Sequence, residues 1–453
     1  MDPAFPLADM IAATGFDGLP PRTVAMTKRL VLDSVGVALA GAGSADCMVL
    51  VDLARGWGGR PEATVIGHDL RAPAPVAALV NGTMIQALDF DDTHDPSGAH
   101  TASCVLSAAL AVAEMRRASG RDLVAAVTLG VDLSARLGAA CEDKIGWTST
   151  AVYGAFGAAA AAARVLGLDA AGVRHALGIV LSQVAGTTQT AVESPLSKHM
   201  QSGFAAKAGV LAALLAARGV TGVSEVFEGK FGFFRLYKGG RYDRRPLLAD
   251  LGRRFQSDEL SLKPYPCCRA THGVIEAVLD LARAYGLAAN DVAAVRLTVP
   301  PVAYELVGRE FRPGDNPVIA AQFSARYTVA AALLHGRVGL DEFRPAVIAD
   351  PRVAELVGRV DVAVAAEAGD GFAPAVAEVW TADGVRHALT VRVLKGHPDR
   401  PLGDDEVQDK FMRCASAAPE PLTKDRARAL GDAIAGLESV GDVSALTRYL
   451  GGR

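Results

Sequence analysis

Apolar residues recur at intervals of three and four through most of the first 245 positions of this 453-residue chain, and then the rhythm changes. Over 21–41 (PRTVAMTKRLVLDSVGVALAG) the spacing predicts a helix, opened by Pro-Pro and closed by glycine. Similar signals predict helices at about 73–90, 102–117, 120–140, 151–166 and 203–218, and one over 169–184 with Asp169 as its cap. The first 245 residues or so therefore read as all-helical.

Beyond them the pattern alternates. DVAAVRLTVP (291–300) and VDVAVAAEA (360–368) are valine-rich and read as strands. AVAEVWTADGVRHALTVRVL (375–394) reads as a hairpin turning at Asp383-Gly384. Helical patterns at 269–286 and 317–336 lie between these strands, and helix returns from about Asp404. The predicted fold is mainly α: an all-helical domain over 1–264, completed by 399–453, and a smaller α+β domain over 265–398. A chain of this length is too long for one ordinary core, which agrees with two domains.

Composition narrows the class. Alanine is abundant and aromatics make up 6%, a mix that favours close-packed helices. The net charge of −4 and the lack of a basic run interleaved with aromatics argue against a nucleic-acid partner. The apolar runs near 155–166 and 208–217 are too short to span a bilayer, and the N-terminus lacks the basic region of a signal peptide. The expectation is a cytoplasmic protein that engages no membrane. None of the cysteines at 47, 104, 141, 267, 268 and 414 forms a C-x-x-C pair, so reduced thiols are expected.

Candidate chemistry concentrates in three segments. LDFDDTHDPSGAH (88–100) holds four aspartates and two histidines in thirteen residues of an otherwise apolar region. Such groups are costly to bury without a partner or a task. Asp89 and Thr93 are four apart and share a face if the preceding helix runs through them. Pro96 and Gly98 then break the chain and present His100 at a turn or helix start. Asp91, Asp92 and Asp95 read as turn and capping residues. No recognised metal-ligand spacing occurs, so no metal is expected.

The second segment is SPLSKHMQSGFAAKAG (194–209), in a chain with ten lysines against thirty-six arginines. Lys198 near a helix start opposes the helix dipole, at a cost of a few tenths of a kcal/mol (roughly) unless an anion answers it. An anionic substrate would answer it; a solvated surface lysine is the plainer alternative. The third is LSLKPYPCCRATHGVIEAV (261–279), where Lys263 precedes proline and should be extended. Lys263, Arg269 and the N-terminus of the helix after them could form an anion site. Cys268 beside those cations would have a lowered pKa, with His272 one turn on. The plainer reading is an interdomain linker with a core histidine.

These segments resemble blocks of the MmgE/PrpD superfamily, whose members include 2-methylcitrate dehydratase, cis-aconitate decarboxylase and iminodisuccinate epimerase. LDFDDT, GAFGAAAAAARVLGLD (154–169), SKHMQSGFAAKAG, KPYPCCRATH and AQFSARYTVAAALLHG (321–336) stand in the family's order. The resemblance implies a large helical domain with an α+β lid, a homodimer, and catalysis without a metal or organic cofactor. It implies Asp89, His100, Lys198 and Lys263 as catalytic residues, with His94 a rival register for His100. It places Thr93 and Tyr327 at the substrate, and the anion site read above adds Cys268, Arg269 and His272 as substrate-binding residues. Thr148, in GWTST, and Cys268 stand where many members have histidine, and His272 then becomes the substitute for the second.

The implied reaction is proton transfer at carbon beside a carboxylate, in a lyase that dehydrates or hydrates a hydroxylated di- or tricarboxylate. Epimerisation and decarboxylation use the same residues. A non-catalytic binding member of the fold is the alternative of another class.

Overall fold

The computed structural model describes residues 1–141, 146–366 and 371–451. The chain opens with helices α1 (Ala4–Ala13), α2 (Pro21–Gly41) and α3 (Ala45–Trp57). A two-residue antiparallel ribbon, β1 (Ala63–Thr64) with β2 (Arg71–Ala72), departs from the all-helical expectation. Helices α4 (Ala74–Gln86), α5 (Thr101–Arg116), α6 (Gly120–Ala139) and α7 (Ser149–Val165) follow. After them come α8 (Ala170–Val180), α9 (Gln189–Glu193), α10 (Ser197–Ala216), and the short α11 (Phe233–Lys238) and α12 (Arg245–Leu248).

Helix α7 lies at the centre, packed against α5, α6 and α10. Every residue of α7 from Ser149 to Ala163 is buried, and so is every residue of α5 from Thr101 to Glu114. A helix covered on all sides needs no polar face, which is why these two read as alanine-rich and only weakly amphipathic. Small residues also let the backbones approach. Gly130 of α6 faces Gly157 of α7, and a methyl group on either would lie 2.6 Å from the other's carbonyl oxygen.

Three helix boundaries differ from the sequence reading, and two of them shape the site. Helix α4 ends at Gln86 rather than near 90. Helix α10 starts at Ser197 rather than 203, which carries Lys198 into its first turn. Asp169 does cap α8, accepting from Gly172 N at 2.8 Å, but α8 gives way to a single 3₁₀ turn at Leu181–Gln183.

The second unit begins with a 3₁₀ turn at Arg269–Thr271 and α13 (His272–Tyr285). It continues through β3 (Val292–Val299), α14 (Pro301–Val307), α15 (Pro317–Gln322) and α16 (Ala325–His335). Then come α17 (Pro345–Ile348), α18 (Pro351–Val357), β4 (Val360–Val364), β5 (Ala375–Thr381) and β6 (Arg386–Val391). The sheet order is β4-β3-β5-β6, with β3 and β4 parallel and the other pairs antiparallel. The hairpin turns at Asp383-Gly384, where Gly384 has φ +86° and Asp383 accepts the Thr381 hydroxyl. Residues 367–368 of the strand expected at 360–368 lie outside the described residues.

The helix expected over 317–336 is two helices. Ser324 accepts from Tyr327 N at 3.1 Å and so starts α16 afresh, leaving Phe323 in the break. The chain ends with α19 (Asp404–Ser416), α20 (Lys424–Ala435) and α21 (Ser444–Thr447), and α19 packs on α2. One hydrophobic core joins residues from Ala4–Leu262 to Leu402–Leu450, and a second joins residues between Cys267 and Leu394. The fold is mainly α, a large helical unit with a smaller α+β unit. Among the described residues no single helix is long and apolar enough to cross a membrane.

Candidate active site

Between α4 and α5 the chain makes an irregular, largely buried excursion. Asp89 has φ +50°, a left-handed conformation that non-glycine residues adopt rarely and that collects at functional sites. The shared helical face expected for Asp89 and Thr93 is therefore absent, because α4 has already ended at Gln86. Thr93 instead pairs with Ser261, exchanging N–H···O bonds of 2.8 and 2.7 Å. His94 N donates to Ala99 O at 2.9 Å and closes the tight loop through Pro96 and Gly98.

That loop delivers His100 to the N-cap of α5, a position that usually uses a short polar side chain. Asp92 does the capping from outside: its carboxylate accepts from Thr101 N (3.0 Å), Thr101 Oγ1 (2.7 Å) and Ala102 N (3.0 Å). The imidazole is thus released from capping. His100 Nδ1 lies 2.7 Å from the Asp92 carbonyl oxygen, which can only accept, so Nδ1 carries a proton. His100 lines the cavity between the two units; His94, fully buried with Nδ1 3.0 Å from Ser97 Oγ, does not.

Beneath His100 lies a buried ionic floor. Lys263 comes from the extended stretch before Pro264 and donates to Asp89 O at 2.7 Å and Asp89 Oδ1 at 3.3 Å. Lys198 Nζ reaches the same Oδ1 at 3.5 Å, and Gln86 Nε2 donates to it at 3.4 Å. Asp91 Oδ1 stands 3.3 Å from His100 Nδ1 and 3.8 Å from Lys263 Nζ. Burial alone would raise the Asp89 carboxyl, but Lys198, Lys263 and His100 outweigh it and hold it well below the carboxylate range. Burial also lowers the Lys198 ammonium, against the pull of Asp89. For Lys263 burial is outweighed by Asp89 and Asp91, and its ammonium is raised.

Asp89, Asp91 and His100 offer ligand atoms within 4.8 Å of one another, the arrangement of a possible cation site. Two ammonium groups already share Asp89 Oδ1, and a divalent ion there would sit beside both. The cluster suits ammonium partners rather than a metal.

The cavity above this floor has a volume of about 250 Å³. Thr93, His100, Lys198, Cys268 and Arg269 line it, whereas Asp89 and Lys263 lie directly under it at 0% exposure each. Thr93 Oγ1 is buried with no hydrogen-bond partner. The plain alternative for Lys198, a solvated surface residue, is excluded: its side chain is 11% exposed, with Nζ 4.0 Å from the centre of the Phe323 ring. The anion that answers its helix-end charge is Asp89.

Three expectations on the smaller unit need correction. Cys268 is not an activated thiol: burial, reinforced by Asp89, pushes it up to about 11 despite the lysines nearby. His272 does not reach the cavity. Its Nε2 donates to Cys267 O at 3.1 Å, and burial with Arg269 holds it well below the histidine range. Tyr327 does not reach it either, because its ring packs between Phe311 and Phe343 and its hydroxyl donates to the Glu342 carbonyl. Arg269 lines the cavity but is committed to the junction, donating to Lys395 O (2.7 Å) and Ser261 Oγ (3.2 Å) and pairing with Asp95 (3.4 Å).

Sequence reasoning missed several members. Asp91 belongs to the ionic cluster rather than to a turn, and nothing in the string of aspartates distinguishes it. Gln86, the last residue of α4, gave a signal as a polar end to an apolar helix. Gln201, three residues after Lys198, shares its helix face and accepts from Thr148 Oγ1 at 3.1 Å. Phe323 was concealed by the unrecognised helix break.

Comparison with known proteins agrees with this architecture. The MmgE/PrpD N-terminal domain model matches residues 6–245, and the MmgE/PrpD C-terminal domain model matches 265–434. The chain is 28% identical to a cis-aconitate decarboxylase-like protein of Aspergillus oryzae, over 96% of this chain and 94% of that one. It is 28% identical to cis-aconitate decarboxylase of Homo sapiens, covering 96% and 91%. A 2-methylcitrate dehydratase of Cupriavidus necator is 26% identical over 74% of this chain and 72% of its own length. With both domain models matched in order along nearly its whole length, the chain belongs to the MmgE/PrpD family.

Proposed function

We propose that the protein is a lyase that eliminates water from a hydroxylated di- or tricarboxylate, or adds it, by moving a proton at the carbon beside a carboxylate. The observation that carries this reading is the imidazole of His100: Nδ1 is pinned to the Asp92 carbonyl, Nε2 stands 3.9 Å from Asp89 Oδ1, and the residue lines a cavity that Lys198 also lines. The substrate carboxylate lies at Lys198, with Thr93 Oγ1 as a further donor. Nε2 takes the proton from the neighbouring carbon, and the enediolate charge is stabilised by Lys198 and by the field of Lys263. The double bond forms as hydroxide leaves the next carbon, taking the proton from His100 to depart as water. Every role is filled by a side chain.

Decarboxylation is the second reading. It is favoured by relatives named as cis-aconitate decarboxylases, which match over 96% of the chain, against 74% for the dehydratase. Here the bond to a carboxylate breaks, carbon dioxide leaves, and a proton is delivered to the carbon left behind. The test is incubation with 2-methylcitrate, citrate, cis-aconitate, malate, tartrate and iminodisuccinate in deuterated water. Loss of water supports the first reading and release of carbon dioxide the second. Deuterium exchange without net loss replaces both by an epimerase, and silence across the panel returns the chain to a binding role.

We further propose a cytoplasmic homodimer. Val49, Leu53 and Trp57 form an exposed apolar stripe on α3, and Phe204 and Leu211 are exposed on the adjacent α10. Light scattering tests this, and a monomer overturns it.

A further inference from the structure

The cavity has two unlike ends. At the floor stand Lys198, His100 and Thr93. Past Phe323, whose ring covers Lys198 Nζ at 4.0 Å, the wall becomes apolar. Val302 and Leu306, one turn apart on α14, line the same cavity as Phe323, as does Val192 of α9, while the neighbouring Glu305 and Arg309 are exposed. The wall between is neutral and internally satisfied. Gln201 Oε1 accepts from Thr148 Oγ1 (3.1 Å) and Thr187 N (2.7 Å), and its Nε2 donates to Thr190 Oγ1 at 2.7 Å.

Charge sets a limit on what can enter. The lining holds three cationic side chains, Lys198, Arg269 and Arg309, against two carboxylates, Asp95 and Glu305. Arg269 and Asp95 are already paired at 3.4 Å, and the floor below sets one cation, Lys263, against two carboxylates, Asp89 and Asp91. Lining and floor together hold four cations and four carboxylates, so a tricarboxylate would bring three negative charges into a space with no positive surplus, and the uncompensated ones would lose hydration without gaining partners. An alkyl or aryl group would instead displace water from Phe323, Leu306 and Val302.

We infer that the substrate carries no more than two carboxylates and an apolar arm, with one carboxylate at Lys198 and the arm along Phe323, Leu306 and Val302. This rests on the lyase reading for the chemistry, but the binding preference stands apart from it. Each buried methylene should tighten binding about fourfold.

The test uses saturated acids that cannot react. Succinate, methylsuccinate, butylsuccinate, benzylsuccinate and propane-1,2,3-tricarboxylate are titrated calorimetrically into the full-length protein at constant ionic strength. Affinity should rise from succinate to butylsuccinate by more than tenfold (roughly, at the gain per methylene above), with an increasingly negative heat-capacity change. The tricarboxylate should bind more weakly than butylsuccinate. Leu306→Gln should flatten the series, and Val302→Thr, which keeps the shape, should blunt it should the first variant fail to fold. Lys198→Met should weaken every acid. A flat series, a tricarboxylate that binds best, or no binding by any of these acids overturns the inference. Should butylsuccinate bind best while no hydroxylated acid turns over, the lyase reading fails and this one stands. Turnover confined to tricarboxylates gives the converse.

Discussion

Two buried ion clusters in this protein use the same chemistry to opposite ends. Near the junction of α6 with the segment after α12, Arg136 donates to Asp132 Oδ2 at 2.7 Å and to the carbonyls of Pro246 (3.1 Å), Ala249 (2.8 Å) and Arg254 (2.7 Å). Asp132 Oδ1 accepts from Gln256 N at 2.8 Å, so both carboxylate oxygens are used. The cluster under the cavity is different. Asp89 Oδ2 and both oxygens of Asp91 have no hydrogen-bond partner, and Asp89 itself sits in a left-handed conformation. A saturated network staples backbone segments together, whereas an unsaturated and strained one beside a cavity keeps its charges available. Burial and charge alone would not separate the two; satisfaction of the hydrogen bonds does.

That contrast can be broken by substitution. His100→Asn, which keeps a polar side chain at the N-cap, should lower turnover about a hundred- to ten-thousand-fold while leaving the denaturation midpoint nearly unchanged. Loss of stability without loss of turnover would place His100 with the staples. Arg136→Ala should show the opposite pattern. It strands Asp132 and three carbonyls and should cost about 3–5 kcal/mol in guanidinium unfolding, with turnover per folded molecule retained.

Lys410→Met probes an intermediate case. Its ammonium holds Asp33 Oδ1 at 2.7 Å and the carbonyl of Phe90 at 2.7 Å, next to Asp89 in the chain. The expected result is a loss of about 3 kcal/mol of stability together with a smaller fall in turnover, as the Asp89 backbone loosens. Unchanged turnover would show that the floor is held from the cavity side alone. The smallest effect is expected from Thr150→Val, which removes the acceptor of the 3.0 Å bond from His100 N: about 1 kcal/mol of stability and a few-fold loss of turnover.

Much of the fold was legible beforehand. The helix over 21–41 falls on the predicted residues, and the hairpin turns at Asp383-Gly384 as expected. These are places where local rules and burial agree: proline and glycine at the ends of a helix, and a turn dipeptide between alternating strands. The break at Phe323–Ser324 was not legible, because AQFSARY keeps a helical pattern on both sides and only the side chain of Ser324 restarts the helix. Within the site, His100 and Lys198 announced themselves by residue type and by their place near helix starts. His272 and Tyr327 shared that residue chemistry, but packing turned both away from the cavity.

The sequence by itself determined most of the long helices and the strands of the smaller unit, where the polar and ionisable residues concentrate, and the order of the family's blocks. These follow from periodicity, turn chemistry and composition, all of which act over a few neighbouring residues. Only the tertiary structure decided that Asp89, Lys198 and Lys263 share one carboxylate oxygen, that Asp91 joins them, and that Cys268 is a raised rather than an activated thiol. Those outcomes depend on groups more than a hundred residues apart meeting out of water. Coulomb attraction and desolvation are set there by distance and burial, which no local pattern encodes.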